Sequence, residues 1–220
     1  MQSFNSTERD AVYRVMKARR DIRRFQSKPV PPDALSRILE AAHHAPSVGF
    51  KQPWNFILID STEVRQRIKE TFEKTNEKEW KRLTDTERSR LYSRLKLEGI
   101  MEAPLNIAVT CDRSRDAPFV LGQGPMPETD LYSTCLAIQN MWLAARAEEI
   151  GVGWVSILDR KETERILHLP DQVQLVAYLC VGYPVEFREK PMLESVGWKS
   201  RLDWNSLVYE NRWGRPCRFF

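Results

Sequence analysis

The chain has 220 residues, 42% hydrophobic and 29% charged, with a net charge of +4 at neutral pH. This is the profile of a soluble globular protein with room for one good core. It excludes a helical membrane protein, since no apolar run approaches the roughly 20 residues that span a bilayer, and it argues against a nucleic-acid binder reliant on rows of phosphate contacts.

The opening "MQSFNSTERD" is polar and lacks an apolar core, so no secretory leader is expected. Thr7 and Asp10 stand at capping-box spacing, and Val12, Val15 and Met16 then recur with helical period up to an arginine cluster. The turn "PVPPD" resets the chain, and a second helix carries Leu35, Ile38, Leu39 and Ala42 on one face. After "APSVGFKQP", the run "WNFILID" has the length and composition of a buried strand. Residues 62–98 are mostly charged with thin apolar stripes, which predicts one or two helices able to cover a site or a partner.

"LNIAVTCD" (105–112) reads as a second buried strand, followed by a loop with Gly122, Gly124, Pro125 and Pro127. Leu131, Cys135, Ile138, Trp142 and Ala145 predict a central helix ending at a glycine cap, Gly151. "VGWVSIL" and, after a short helix, "VQLVAYLCVGYPV" give the third and fourth strands. Strands separated by helices without tight hairpin signals predict a layered α/β or α+β fold.

From Phe187 onward periodicity is lost, yet Trp198, Trp204, Tyr209, Trp213, Phe219 and Phe220 make a poor disordered tail. An aromatic arm that wraps a second subunit would bury them, so a homodimer is expected. The four cysteines are scattered with no C-x-x-C pair, which argues against a zinc site and a disulfide framework and for a reducing cytoplasm. His43, His44 and His168 offer no metal-binding spacing, and no metal is expected.

Three segments offer groups suited to a phosphorylated planar ligand. "RRDIRRF" (19–25) places four arginines around Asp21. Such charges repel one another, so the segment makes sense if an anion neutralises it or if every side chain reaches water. "APSVGFKQPWNF" (45–56) supplies Ser47 and Gln52 as polar groups, with Gly49 allowing close backbone approach. "GWKSRL" (197–202) adds Lys199 and Arg201. Taken singly, each is equally a solvated helix end, an ordinary turn or an exposed loop. The 122–125 loop lacks a dinucleotide fingerprint and receives no role.

In combination and in this order the segments resemble the flavin-dependent nitroreductase-like family. The likeness runs through R-R-D-x-R-x-F, A-P-S-x-G-x-x-Q-P-W, E-A-P-L-N-I (102–107), G-x-G-W-V-S-I (151–157) and the late K-S-R, nearly the whole chain. It implies an α+β three-layer fold, a central mixed sheet flanked by helices, formed by one domain over 1–220. Residues 62–98 would be a helical lid, and residues 187–220 an arm exchanged in a homodimer.

The resemblance also implies FMN at the subunit interface. Arg19, Arg20 and Arg23, assisted by Lys199 and Arg201, would hold its phosphate and ribityl end. Pro46, Ser47 and Gln52 would line the ring, and Ile22 and Trp154 would complete the pocket. Asp21 and Ser156 point to a subgroup that consumes its flavin: reduced FMN and O2 would give 5,6-dimethylbenzimidazole, the lower ligand of cobalamin, and erythrose 4-phosphate. Asp21 would move protons, and Ser156 would hydrogen-bond the reacting edge. A separate flavin reductase would supply the reduced flavin. The competing expectations are an NAD(P)H-dependent nitroreductase or flavin reductase with a reusable FMN, and a basic binding module.

Overall fold

Capping residues and apolar periodicity place the elements of the computed structural model, which describes residues 3–219. Phe220, named above as part of the aromatic arm, lies outside them. In chain order the elements are α1 (Ser6–Ala18), α2 (Pro32–His43), β1 (Trp54–Ile59), α3 (Thr62–Lys81), α4 (Thr86–Ser93), β2 (Leu105–Asp112), α5 (Thr129–Ala147), β3 (Gly151–Val155), α6 (Arg160–Ile166), β4 (Val173–Gly182) and α7 (Met192–Ser195). The chain divides into two units, the first ending at Glu189 and the second beginning at Lys190.

The four strands form one sheet in the order β1-β2-β4-β3. Every pair is antiparallel, and β2 carries an irregularity between Val109 and Thr110 where it meets β4. The parallel component expected of a mixed sheet is confined to a single bridge, Asp21 with Val152 on edge strand β3. That bridge covers part of an edge otherwise open to pairing.

Apolar side chains pack on both faces of the sheet. One cluster joins Ile38 and Ala42 of α2 to Ala137, Ile138 and Met141 of α5 and to Ile107 and Leu179 of the sheet. The other joins Ile68 and Phe72 of α3 to Ala108, Tyr178, Cys180 and Ile166, with Ile22 and Phe25 of the arginine segment. The first half of α3 is therefore core, whereas α4 buries no residue.

Three local expectations shift. The capping box of α1 is Asn5 with Glu8, two residues before the expected Thr7 and Asp10, because Asn5 supplies the side-chain acceptor and Glu8 answers it. Helix α5 does not end on Gly151. Glu149 takes the left-handed position (φ 56°), and Ile150 N–H reaches Ala145 O at 2.8 Å while Glu149 N–H reaches Arg146 O at 3.3 Å. These are the paired bonds of a Schellman ending, and Gly151 already belongs to β3. The buried face of α5 also includes polar Asp130, Ser133 and Thr134, while Cys135 is exposed.

The second unit holds α7, a short 3₁₀ turn (Trp204–Leu207) and a bridge between Tyr209 and Pro216. Within it Glu210 is buried and accepts both nitrogens of the Arg218 fork, at 2.8 and 2.6 Å. Tyr209 and Trp213 lie 4.7 Å apart, yet Trp204, Trp213 and Phe219 remain exposed.

Candidate active site

Helix α1 stops at Ala18, and the chain then extends along β3, so the four arginines do not share one helical face. Arg20 turns back and caps α1: its Nη1 donates to Lys17 O and Arg19 O, both at 2.7 Å, and its Nη2 to Glu189 O. Arg19 stacks over Trp142 of α5, 4.7 Å from the ring centre. Arg24 is exposed.

Asp21 and Arg23 face the same side of the extended segment, as alternate residues must. Arg23 Nη1 donates to Asp21 Oδ1 at 2.8 Å, and Nη2 donates to Asp21 Oδ2. The backbone of Trp154 closes the arrangement, its N–H donating to Asp21 Oδ1 at 2.9 Å and its carbonyl accepting from Arg23 Nη2 at 2.8 Å. Between them Ile22 N–H bonds Val152 O at 3.0 Å, and the Ile22 side chain is buried in the core. Only the main chain of Ile22 is left to meet a ligand. Protein surrounds the Asp21 carboxyl on most sides although 43% of its side chain is open. Burial pushes its pKa up, and the opposing pull of Arg23, the Trp154 N–H and Arg19 does not cancel that rise.

Gly153 makes the close approach possible. A Cβ there would stand 1.9 Å from Ile22 O and 2.8 Å from Arg23 Nη1, a collision with backbone that no side chain could relieve. Ser156 follows β3 directly and is exposed. Trp154 and Trp142 rings lie 6.4 Å apart, which ties β3, α5 and the arginine turn together.

The Pro46–Gln52 loop sits at the other end of α5. Ser133 Oγ accepts from Val48 N–H at 3.1 Å, and Ser47 Oγ accepts from Gln52 N–H at 3.0 Å. Gly49, Phe50 and Gln52 all have positive φ, so the loop is tightly wound. Ser133 and Trp142 are nine residues apart on α5, about 13 Å at the helical rise. The sequence-predicted residues therefore form two groups at opposite ends of one helix: Arg19, Arg20, Asp21, Ile22, Arg23, Trp154 and Ser156 at one, and Pro46, Ser47 and Gln52 at the other. Lys199 and Arg201 lie in the second unit, both exposed.

Sequence reading missed what anchors that loop. Lys51 is buried, its Nζ donating to Arg113 O at 3.1 Å and Gln123 Oε1 at 3.2 Å, with Asp130 Oδ2 at 3.6 Å. Gln123 Nε2 donates to the fully buried Asp130 at 3.0 Å, and Arg113 Nε lies 3.3 Å from it. Arg115 donates to Gln52 O, to Trp54 O at 3.2 Å and to Asn55 Oδ1 at 2.6 Å. The 122–125 loop thus gains a role as one wall of this polar network. No motif marks these residues, because the pairing joins parts of the chain about 60 to 80 residues apart.

Among the described residues no group of side chains is arranged to hold a metal ion, and no helix is long and apolar enough to cross a membrane.

The nitroreductase family profile matches residues 16–183. The chain is 44% identical over 198 residues to the 5,6-dimethylbenzimidazole synthase of Rhodospirillum rubrum, covering 90% of this chain and 93% of that protein. It is 38% identical over 200 residues to the enzyme of the same name from Rhodobacter capsulatus, covering 91% and 96%. Among solved structures, that of oxidized iodotyrosine deiodinase bound to FMN and 3-iodo-L-tyrosine superposes with a TM-score of 0.68 at 24% identity, covering 80% of this chain and 91% of that one. This last likeness is one of fold.

Proposed function

The chain belongs to the nitroreductase family, and within it we infer that the protein is a 5,6-dimethylbenzimidazole synthase. The relatives of that name match about nine-tenths of the chain. The observation that carries the reading is the Asp21 carboxyl, set among arginines with its pKa raised and one oxygen incompletely bonded.

Residues 19–24 carry four guanidiniums against one carboxylate, a donor set that fits a phosphate monoester. The polar groups of the Pro46–Gln52 loop fit the edge of a planar heterocycle. FMN satisfies both descriptions and, when bound in its reduced form, supplies the electrons that O2 accepts and the ring carbons of the product. Arg19 holds the phosphate end, Arg20 borders it while its terminal nitrogens cap α1, and Arg23 lines the same site; Lys199 and Arg201 supply further cations. Pro46, Ser47 and Gln52 line the ring, and Trp154, Ser156 and the Ile22 main chain complete the pocket. Erythrose 4-phosphate leaves as the second product, and a separate flavin reductase supplies the reduced flavin.

Among the described residues Asp21 Oδ1 accepts from Arg23 and from Trp154 N–H, while Oδ2 accepts from Arg23 alone. A carboxylate oxygen has two lone-pair positions, so Oδ2 is where this residue takes up and returns protons. Its raised pKa brings proton uptake closer to neutral pH, the range in which general acid–base groups work best. Ser156 offers a hydroxyl to the same side of the site.

A single chain leaves Phe50 81% and Phe119 77% exposed, together with half-open Tyr132 and Leu136 on α5. Such a surface fits burial against a second copy. The aromatic residues beyond Phe187 act as the arm of that homodimer, in one domain over 1–220. The end of α3 together with α4, which buries nothing of its own, serves as the lid. Four free thiols fit a cytoplasmic location.

The test is to supply reduced FMN anaerobically, admit air and follow small molecules by chromatography and mass spectrometry. Benzimidazole formed in step with flavin loss is the expected result. Intact FMN returning after each cycle would replace this reading with a nitroreductase or flavin reductase.

A further inference from the structure

We infer that Arg23 is the positioning residue of Asp21: it fixes the carboxylate so that proton exchange is confined to Oδ2, rather than serving as a ligand of the phosphate. The inference rests on the reading of Asp21 as the proton carrier. Arg23 spends both terminal nitrogens inward, Nη1 on Asp21 Oδ1 at 2.8 Å and Nη2 on Asp21 Oδ2 and on Trp154 O at 2.8 Å. Its side chain is only 13% exposed, against 43% for Asp21. The carboxylate, not the guanidinium, is the partner that looks outward.

Trp154 completes the device from the opposite side. Its N–H holds Asp21 Oδ1 at 2.9 Å while its carbonyl holds the guanidinium, so one residue of β3 fixes the spacing of acid and base. Gly153 makes room for this, since a Cβ would stand 2.8 Å from Arg23 Nη1 and 1.9 Å from Ile22 O. Together these contacts fill Oδ1 and leave a lone pair on Oδ2, which fixes both the atom and the direction of proton transfer.

Among the described residues the charged and titratable groups facing the carboxyl are Arg23 and Arg19 from its own segment and, from β4 behind it, the thiol of Cys180. Burial pushes that thiol up to about 12, so it stays neutral in the working range and Arg23 dominates the local field. Removing the guanidinium should raise the pKa of Asp21 further, because burial would then act with less opposition.

The test pairs Arg23→Gln with Arg23→Lys and reads three quantities. The Asp21 carboxyl titration is followed by carbon NMR in flavin-free protein, with the resonance assigned by its loss in Asp21→Asn. FMN affinity is followed by quenching of flavin fluorescence, and product yield by chromatography. In Arg23→Gln the Asp21 titration should move up by about one pH unit or more, and yield at neutral pH should fall about 30-fold or more. FMN affinity should weaken less than about 5-fold, and Arg23→Lys should recover part of the titration and the yield. FMN affinity falling as far as yield, with the Asp21 titration unmoved, would overturn the inference and make Arg23 a phosphate ligand. Wild-type yield in Arg23→Gln would overturn it as well.

A measurement on the unaltered chain covers the case in which the variants do not fold. The side-chain nitrogen resonances of Arg23 should shift with the Asp21 titration, and resonances indifferent to it would defeat the proposal. Normal yield from Asp21→Asn would instead defeat the reading of Asp21 as proton carrier, leaving the titration coupling to be judged separately.

Discussion

Two carboxylates near the sheet are built from similar parts and behave in opposite ways. Glu98 lies in the segment before β2, 11% exposed, with Lys69 Nζ at 3.0 Å and Lys96 Nζ at 3.8 Å from Oε1 and the Ile100 N–H bonding Oε2 at 2.6 Å. Burial opposes its charge, but the Ile100 N–H and the two lysines prevail and hold its pKa below the usual value. Asp21 also meets burial, a backbone N–H and a cation, yet there burial prevails and its pKa is raised. Glu98 has donors on both oxygens and cations from two segments, so its proton is kept off. Asp21 has a single closely paired guanidinium and an unfilled position on Oδ2, so its proton can come and go. The local balance of donors against burial separates an acid held in its charged form from one proposed to exchange its proton.

The contrast is sharpest under substitution. Asp21→Asn keeps the size of the side chain and removes its proton chemistry. Product yield should fall about 100-fold or more while FMN affinity, read by fluorescence quenching, stays within a few-fold. Glu98→Gln should do the reverse. It leaves Lys69 and Lys96 without their shared partner and should lower stability by about 2 kcal/mol, read as a urea midpoint. Yield per folded molecule should hold. A Glu98→Gln protein of normal stability but poor yield would break the comparison.

A milder change probes the second residue proposed for the chemistry. Ser156→Ala removes one exposed hydroxyl just past β3 and no hydrogen bond of the sheet. The yield should fall about 10-fold, the worth of one hydrogen bond made during the reaction, with thermal stability unchanged. A matching loss of stability would assign Ser156 to structure instead.

Much of this was legible in the sequence. The four strands read from apolar runs appear where expected, since a run of Ile, Val and Phe of strand length has few other homes, although β3 ends at Val155 and leaves the last three residues of "VGWVSIL" outside the sheet. The specific pairing of Asp21 with Arg23 was not legible in "RRDIRRF", because it depends on alternate residues sharing one side of an extended segment. What the sequence hid was that the segment is extended at all, since helical period runs right up to Ala18. The sign was present in Gly151 and Gly153 of "GVGW": glycine at alternate strand positions means that another backbone lies close against that face. The Lys51, Asp130 and Gln123 network left no such sign. A lysine beside a polar turn reads as solvent-facing, and only the fold brings Asp130 to neutralise it.

The smallest expected effect concerns stability and has a definite sign. A carboxyl whose folded pKa lies above its unfolded value contributes stability that is fully present below the unfolded pKa and lost as pH rises through the folded one. For Asp21 the ionised form at neutral pH is thus a burden on the fold, and Asp21→Asn should make the protein slightly more stable there. The gain is a fraction of a kcal/mol, because the side chain is 43% open and water screens it. It should vanish as pH falls below the ordinary aspartate range, where the native residue is neutral too. Glu98 has the opposite sign, its stabilisation present at neutral pH and lost as pH falls through its lowered pKa. Urea midpoints of wild type, Asp21→Asn and Glu98→Gln, followed from neutral pH into acid, should therefore converge from opposite sides. An Asp21→Asn protein less stable than wild type at neutral pH would mean that the Arg23 pair outweighs burial, and the acid among the arginines would then be structural after all.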